Sequence, residues 1–209
     1  EAANAVLTER LGQKFEEQGF HLLGFSINGA RQPMSTFPID APSDVAGKKI
    51  RVIQSPIHIA LWEAVGARPV PIPASEVYNA MQTGVVDMFD NTATNYLTFR
   101  FYEVAPYYTD LRHVYAMGSW VVAKSWWDSL PAEYQQAITK AASDAQTEAG
   151  PLLAEVDAAS LAETEKLGAT LHVVSDKQPW IELMEPVWAQ FTPQIPGAEE
   201  TIAAIKAIE

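Results

Sequence analysis

Arg51 is the residue of this chain whose type and position most directly suggest chemistry. It stands inside the apolar run Lys49 to Ile53, which is short and rich in β-branched residues and therefore predicts a strand. A strand arginine often faces solvent or pairs with a structural carboxylate. The alternative is a fixed cation for an anionic ligand, because a guanidinium binds both oxygens of a carboxylate in one plane. The residues alone leave both interpretations open.

Further polar residues lie in and after a third predicted strand, Val85 to Phe89. Asn91 stands beyond the carboxyl end of this strand, where open parallel sheets bind their ligands. Asp87 and Asp90 could be drawn as a carboxylate pair for acid-base chemistry, but capping and turn formation after the strand explain them more simply. We therefore predict a binding role for Asn91 and a structural role for the two aspartates.

The motifs of common enzymes and metal sites are absent from the sequence. His21, His58, His113 and His172 lack the spacing of a zinc site such as H-x-x-x-H. The chain has no cysteine, which excludes disulfides, thiolate metal sites and cysteine nucleophiles. Glycine-rich phosphate loops and the G-x-S-x-G nucleophile elbow are also missing. The sequence thus predicts no metal, no cofactor and no catalytic residue.

The elements that must position Arg51 and Asn91 form a β-α-β-α-β unit. The predicted order is a strand at 49–53, a helix from Pro56 with Ser55 as N-cap and Gly66 at its stop, and an edge or irregular strand at 70–72. A helix opened by Ser75 and Glu76 and ended by Gly84 follows, and then a strand at 85–89. Such a unit belongs to an open, mostly parallel sheet flanked by helices, which is the α/β class.

The rest of the chain predicts further helices and strands around this unit. The expected elements are a helix at 1–18, a strand at 22–27, a loop at 28–47 that contains Arg31, a β-prone segment at 109–123, a short helix capped by Ser125, a helix at 130–167, a strand at 170–174, a helix at 177–191 and a weak helix at 202–208 within a terminal segment at 193–209. Gly150-Pro151 predicts a kink in the longest helix.

Composition narrows the class of protein. Apolar residues make up 48% of the 209 residues, so a sizeable core can form. The net charge of −12 argues against nucleic acid as a partner, and it means that a bound anion needs local positive charge. No run of residues approaches the roughly 18 to 20 apolar positions of a membrane span.

Several motifs resemble one known family. They are Gly47-Lys48-Lys49-Ile50-Arg51-Val52, Gly66-Ala67-Arg68-Pro69-Val70-Pro71, the run from Ser75 to Asp87 (SEVYNAMQTGVVD), Phe101-Tyr102-Glu103-Val104 and Trp127-Asp128-Ser129-Leu130-Pro131. Together they resemble the substrate-binding proteins of TRAP (tripartite ATP-independent periplasmic) transporters, the DctP-like family. The resemblance covers residues 24–168.

The resemblance implies a two-lobed periplasmic binding protein of the class II-like type, with lobes joined by crossing strands and a long helix. Residues 1–27 and 118–150 would form the remainder of lobe 1, and 28–117 would form lobe 2 with the main ligand contacts. Residues 151–209 would pack across both lobes. The strands that open lobe 1 in this family are expected to be missing from this chain.

The resemblance also implies ligand-binding residues. The family arginine that matches Arg51 holds the substrate carboxylate, and a second arginine in the preceding loop matches Arg31. An asparagine after the third strand matches Asn91, and Trp120 and Gln54 are further expected contacts. The chain departs from the family pattern at Ala74, where an aromatic residue is common, and at 88–92, where Met-Phe-Asp-Asn-Thr replaces Gly-Gln-Glu-Asn-Pro.

Two classes of function remain after this comparison. The first is a non-enzymatic, periplasmic and monomeric receptor that binds a small organic acid in a cleft between its lobes and delivers it to the TRAP membrane subunits. The second is an α/β enzyme, a hydrolase or isomerase of a small carboxylic acid, that uses Asp87 or Asp90 with Arg51 as the anion anchor. The absence of catalytic motifs favours the receptor. Dicarboxylates, sugar acids, 2-oxo acids and aromatic acids all remain candidate ligands.

Overall fold

The computed structural model of the protein describes residues 2–208. Glu1 and Glu209, the end residues of the predicted first helix and of the predicted terminal segment, lie outside the described residues. Across the part that is described, no helix combines the length and the apolarity that a membrane span requires.

Helices and strands alternate over residues 2–110, and the later part of the chain is mostly helical. The helices are α1 Ala2–Glu17, α2 Pro42–Val45, α3 Pro56–Ala64, α4 Val77–Gln82, α5 Ala93–Thr98, α6 Lys124–Asp128, α7 Ala132–Lys166, α8 Gln178–Phe191 and α9 Ala198–Lys206. The strands are β1 Phe20–Ser35, β2 Lys49–Val52, β3 Arg68–Pro71, β4 Met88–Asn91, β5 Tyr107–Asp110, β6 Val114–Ala123 and β7 Thr170–Val173. Single 3-10 turns lie at Ala74–Glu76, Phe101–Glu103 and Thr192–Gln194.

These elements form two compact units. One contains residues 29–115 and 156–194, and the other contains residues 2–28, 116–155 and 195–208 of the described chain. The predicted packing of residues 151–209 across both lobes stays a prediction.

The larger unit contains a mixed sheet. Its strand order is β3-β2-β4-β1-β5-β7, and the predicted β-α-β-α-β unit supplies the first three of these strands. Strand β2 is parallel to β3 and β4, as predicted, and β3 lies at the edge. The carboxyl-terminal part of β1 is antiparallel to β4 and β5, and β7 runs parallel to β5. The unit is therefore α/β with its parallel part where the sequence predicted it.

Both faces of this sheet are covered by apolar side chains. Met88 and Phe89 are consecutive in β4 and fully buried, yet they belong to two different hydrophobic clusters. Successive strand residues point to opposite faces, so the two clusters lie on the two sides of the sheet. Trp62 of α3 packs in the cluster of Met88, and Tyr96 of α5 packs in that of Phe89.

The smaller unit is built on α1, the first half of β1, most of β6, and parts or all of α6, α7 and α9. Asn4 of α1 hydrogen-bonds the main chain of Phe25 twice: its Nδ2 donates to the carbonyl oxygen and its Oδ1 accepts from the amide, both at 2.9 Å. The ring of His21 stacks on Trp127 with centroids 4.1 Å apart. Polar bonds and ring stacking thus hold the first strand against its helices.

Two predicted boundaries near the candidate site were wrong. The predicted loop at 28–47 is in fact extended as far as Ser35, because residues 32–35 pair with β4 on one side and 34–35 pair with β5 on the other. Arg31 consequently lies in a strand. The third predicted strand, 85–89, instead begins at Met88 and continues through Asn91, because Asp90 and Asn91 pair with Pro33 and Gln32 of β1.

Helix ends differ from the prediction in small ways. Ser55 occupies the predicted N-cap position, but its side chain makes no capping hydrogen bond. Helix α6 has Ala123 rather than Ser125 at its N-cap. Helix α7 continues through Pro151 without a break. The kink expected at this position stays a prediction.

Candidate ligand-binding site

Polar and charged side chains meet where strands β2, β4 and β1 lie side by side. Arg51 is one residue from the end of β2 and pairs with Phe89, and Asn91 is the last residue of β4. Asp90 pairs with Pro33 of β1. The parallel strands β2 and β4 end at the same edge of the sheet, which is the edge where α/β proteins bind ligands.

The register divides these residues between the two faces of the sheet. Arg51, Phe89 and Asn91 share one face, because Arg51 pairs with Phe89 and side chains alternate along a strand. Asp90 points to the other face together with its partner Pro33, and alternation along β1 puts Arg31 on that face too. The site is thus assembled from both faces at one end of the sheet.

Arg51 is a buried guanidinium without a carboxylate partner in the described residues. Only 4% of the residue is exposed, and its Nε donates a hydrogen bond of 2.8 Å to the carbonyl oxygen of Ile72. Within residues 2–208 no carboxylate lies within 4.0 Å of its nitrogens. Burial and the charge of Arg31 lower the pKa of Arg51, and the charge of Asp90 opposes this shift. A charge held in this way requires an anionic partner.

Asp90 is the centre of a buried polar cluster. Its Oδ2 accepts hydrogen bonds from Nε2 of His58 and Nε2 of His113, both at 2.9 Å. Arg31 donates to both oxygens, from Nε to Oδ2 at 3.1 Å and from Nη2 to Oδ1 at 2.7 Å. Burial raises the pKa of Asp90, but the hydrogen bonds from His113, His58 and Arg31 outweigh burial and hold this pKa well below its ordinary value. Asp90 is therefore a carboxylate in the folded protein.

The structure corrects the prediction for Asp90 and adds two histidines that the sequence did not indicate as site residues. Asp90 does not cap a helix or form a turn; it is a fully buried strand residue. His58 and His113 both bond to Asp90, a contact that the spacing of the histidines in the sequence does not reveal. The sequence did contain a signal for both histidines. His58 lies a few residues after β2 and His113 a few residues after β5, just as Asn91 lies after the apolar part of β4.

Arg31 was expected to lie in a loop, and instead it lies in strand β1 and pairs with Asp90. Its side chain is 15% exposed, and its Nη2 also donates to the carbonyl oxygen of Asp90 at 2.5 Å. Among the described residues, Nη1 has no hydrogen-bond partner. One edge of the guanidinium is thus committed to Asp90, and Nη1 remains available as a donor.

Asn91 is oriented by its neighbours so that its amide nitrogen is available. Its Oδ1 accepts from the main-chain N–H of Thr92 and from Nδ2 of Asn95, both at 2.9 Å. A main-chain N–H can only donate, so the accepting atom must be the side-chain oxygen. Within the described chain, Nδ2 of Asn91 makes no hydrogen bond.

The other two predicted contacts are not brought into this cluster. Gln54 is exposed in the bend between β2 and α3. Trp120 belongs to the smaller unit, where it is half-buried in β6 and donates from Nε1 to Oγ of Ser26 at 2.9 Å. Whether either residue contacts a ligand stays a prediction.

His58, Asp90 and His113 also have the composition of a metal site, with ligand atoms all within 4.8 Å of one another. The hydrogen bonds of His58 argue against this use. Its Nδ1 accepts from the main-chain N–H of Ile53 at 3.2 Å, so the ring hydrogen must be on Nε2, which points at Asp90. A nitrogen that carries hydrogen cannot ligate a metal. The 3.3 Å approach of Trp62 Nε1 to the same nitrogen is then a contact between two donors, and we assign the hydrogen bond to the closer carboxylate.

The chain is similar to known proteins over most of its length. Residues 2–194 match the family described as bacterial extracellular solute-binding protein, family 7. A solute-binding protein of Chromohalobacter salexigens is 31% identical over 199 residues, which cover 95% of this chain and 59% of that protein. The chain therefore spans less than two thirds of the length of this relative.

Solved structures agree with the family match. A TRAP periplasmic solute binding protein from Xanthobacter autotrophicus with bound β-D-galacturonate has a TM-score of 0.88 and 31% identity, covering 98% of this chain and 70% of that chain. One from Shewanella oneidensis with bound succinate has a TM-score of 0.83 and 31% identity, covering 97% and 70%. The predicted fold class is thereby confirmed. This chain belongs to family 7 of the bacterial extracellular solute-binding proteins.

Proposed function

We propose that the protein is a periplasmic solute receptor that binds a small organic acid and delivers it to the membrane subunits of a TRAP transporter. The observation that carries this proposal is Arg51, a guanidinium that is 4% exposed and has no carboxylate partner in residues 2–208. A ligand carboxylate would supply the missing anion and would accept two parallel hydrogen bonds. The cost of burying the charge would then be offset by the bound ligand.

The local charge count supports an anionic ligand. Arg31 is paired with Asp90, whereas Arg51 is not paired within the described chain. His58 carries its ring hydrogen on Nε2 and accepts at Nδ1, so it adds no charge in this arrangement. Among residues 2–208 no carboxylate pairs with Arg51, so one carboxylate of a ligand would balance its charge.

In residues 2–208, the polar groups of Arg51, Arg31 and Asn91 that have no hydrogen-bond partner are all donors. Arg51, Arg31 and Asn91 each retain N–H groups with no partner in residues 2–208, while their remaining polar atoms bond to the protein. A carboxylate is an acceptor at both oxygens and suits a set of donors. We propose Arg51, Arg31 and Asn91 as carboxylate-binding residues, with Gln54 and Trp120 as contacts to the rest of the ligand.

The relatives support the ligand class. The Xanthobacter protein holds galacturonate and the Shewanella protein holds succinate, and both are carboxylic acids. Both are described as periplasmic TRAP proteins, from which we infer the compartment and the partner of this chain. We propose that the receptor acts as a monomer.

The aspartates that an enzyme would need are already engaged. Asp90 accepts hydrogen bonds from three side chains, and its lowered pKa makes it a poor base. Asp87 accepts from the main-chain N–H of Lys49 at 2.8 Å. Nothing in the geometry of the described residues favours the hydrolase or isomerase.

A titration of the protein with three compounds tests the proposal. D-galacturonate and succinate carry carboxylates, and D-galactose is the matched compound without one. We expect saturable binding of at least one acid by calorimetry, no binding of galactose, and recovery of the acid unchanged by mass spectrometry. Equal binding of galactose and galacturonate would show that the carboxylate is not what is recognised, and chemical conversion of the acid would indicate an enzyme.

A further inference from the structure

We propose that the cavity between helices α3 and α8 is a binding site for an ordered water molecule, which links Trp180 of α8 to His113 after strand β5. The site does not depend on the proposed function, and it holds whether or not the protein binds an organic acid. Two buried polar atoms carry the inference. Each has no hydrogen-bond partner in the described residues, and both belong to residues that line the same small cavity.

The cavity lies within the larger unit, among the side chains of the hydrophobic cluster that contains Met88 and Trp62. Apolar side chains form most of its wall, and these include Leu61, Val65, Leu111 and Met184. The space open to the centre of a water molecule is about 30 Å³. One ordered water needs roughly 10–15 Å³ by this measure, so the cavity is large enough to hold it.

Trp180 contributes a hydrogen-bond donor to this cavity. The residue is the third of helix α8, and only 6% of it is exposed. Its Nε1 is buried and makes no hydrogen bond within residues 2–208. An indole N–H can only donate, and leaving a buried donor unpaired is unfavourable. The indole therefore requires an acceptor from outside the described chain.

His113 contributes an acceptor through its Nδ1. Its other ring nitrogen, Nε2, lies 2.9 Å from Oδ2 of Asp90. Because the lowered pKa of Asp90 keeps this carboxyl ionised, its oxygens can only accept, and Nε2 carries the hydrogen of that bond. In the neutral ring Nδ1 is then an acceptor. It is buried, and it has no hydrogen-bond partner among the residues that the structure describes.

Together the two groups select the chemical class of the ligand. Trp180 needs an acceptor and His113 needs a donor, so an anion would satisfy only the indole and a cation only the imidazole. An apolar molecule would satisfy neither. Water both accepts and donates, and two polar partners are enough to hold a buried water. Its oxygen would accept from Nε1 of Trp180, and one of its O–H groups would donate to Nδ1 of His113.

Such a water would connect two elements that are otherwise held together at this point by apolar contacts. Trp180 lies in the first turn of α8, and His113 lies in the segment between β5 and β6. The ring of Trp62, from α3, packs edge-on against His113 with centroids 5.1 Å apart. The bridge would therefore fix the start of α8 against the end of β5 through directional bonds.

A high-resolution crystal structure of the protein tests the site directly. We expect a density peak about 2.7–3.2 Å from both Nε1 of Trp180 and Nδ1 of His113. Crystals under xenon pressure provide the opposing test, because a dry apolar cavity binds xenon whereas a cavity that holds hydrogen-bonded water does not. Absence of the water peak, or xenon in its place, would overturn the proposal.

NMR tests the same site in solution. We expect the indole N–H of Trp180 to show a cross-peak to water with the sign of a bound molecule. The loss of one indole signal in Trp180→Phe assigns the resonance. An indole N–H without such a cross-peak, or with the sign of rapidly exchanging surface water, would contradict the proposed site.

The same variant tests the part played by the indole. Trp180→Phe keeps an aromatic ring but leaves only His113 of the two polar partners, so the density peak should vanish. Trp188→Phe is the matched control, since it makes the same chemical change at a 46% exposed position of the same helix and should keep the peak. A water peak retained at His113 in Trp180→Phe would overturn the proposed bridge. If that variant does not fold, the crystals and the water cross-peaks of the parent protein still decide the proposal.

Discussion

Ile50 and Arg51 are consecutive residues of β2 whose side chains enter opposite faces of the same sheet. Ile50 is fully buried in the hydrophobic cluster that contains Met88 and Trp62. Arg51 pairs with Phe89, whose side chain belongs to the cluster on the other face. Within strand β2, Ile50 therefore packs in the hydrophobic core, whereas Arg51 lies in the candidate site. Substitution of one residue should therefore change stability, and substitution of the other should change ligand binding.

Arg51→Gln should abolish most of the affinity for the acid while leaving the fold intact. Loss of one partner of a buried charged pair costs about 2–5 kcal/mol, or roughly 30- to several-thousand-fold in affinity. The variant should fold well in the absence of ligand, because Arg51 has no carboxylate partner in the described residues that would be left unpaired. Calorimetric titration with D-galacturonate, beside melting curves without it, measures both quantities.

Two further variants make the result specific to the guanidinium at this position. Arg51→Lys should recover only part of the affinity, because an ammonium cannot bind both carboxylate oxygens in one plane. Arg68→Gln removes the same charge from an exposed position on the neighbouring strand β3 and should bind like the parent. Parent-like binding by Arg51→Gln, or weak binding that merely reflects unfolding, would remove Arg51 from the site.

Ile50→Ala should have the reverse effect. Ile50 is 0% exposed, so truncation leaves a cavity between the sheet and α3 and should lower the free energy of unfolding by about 2–5 kcal/mol. The affinity of the folded fraction for D-galacturonate should stay close to that of the parent. Urea unfolding gives the first quantity and titration gives the second. A large loss of affinity in a folded Ile50→Ala protein would mean that core and site are coupled through β2.

The sequence predicted the β-α-β-α-β unit because its signals are local. Apolar runs at 49–53 and 85–89 and the glycines at the helix stops are readable within a few residues of each boundary. Arg51 was predicted as a site residue on a signal of the same kind, since a charge in an apolar strand stands out from its immediate neighbours. The buried cluster could not be found in this way. Its members Arg31, His58, Asp90 and His113 are far apart in the chain. The pairing of β4 with β2 and β1, and of β1 with β5, brings them together.

The position of Arg31 shows how local signals mislead. Asn28-Gly29 and Pro33 are turn-forming residues and predicted a loop. The segment is nevertheless extended, because residues 32–35 pair with β4, which lies more than fifty positions later in the sequence. Pairing partners at that distance cannot be read from composition, so the loop prediction failed where tertiary contacts outweighed turn propensity.

Asp90 should make stability depend on pH below about 4. Burial opposes ionisation, but hydrogen bonds from His113, His58 and Arg31 hold the folded-state pKa of Asp90 well below its ordinary value. The unfolded chain, with an aspartate pKa of about 3.9, then binds a proton more readily than the native state in this range. The stabilisation is fully present above about pH 4 and is lost as pH falls toward the folded-state pKa.

The measurement is urea unfolding of the parent and of Asp90→Asn at a series of pH values from neutral to acid. The parent should be the more stable protein by a constant margin above about pH 5, and the margin should shrink on acidification below about pH 4. Asp87→Asn supplies the control for general charge effects, because Asp87 accepts a hydrogen bond from the main-chain N–H of Lys49 and not from the two histidines that bond to Asp90. A margin that is independent of pH would mean that the pKa of Asp90 is the same in the native and the unfolded protein.

Gly29→Ala should destabilise the protein through both its backbone and its neighbours. Gly29 has φ of +107°, a conformation that side chains disfavour, and an added Cβ would lie 3.1 Å from Cγ2 of Thr92. We expect a loss of about 1–3 kcal/mol in the free energy of unfolding. Thr92→Ser removes Cγ2 and should restore part of that loss in the double variant, whereas backbone strain would remain. Gly12→Ala is the matched control. Gly12 lies in helix α1, and among the described residues no atom lies within 4 Å of an added Cβ, so this substitution should stabilise by about 0.5–1 kcal/mol. Equal effects of the two alanine substitutions in urea unfolding would contradict the strained conformation at Gly29.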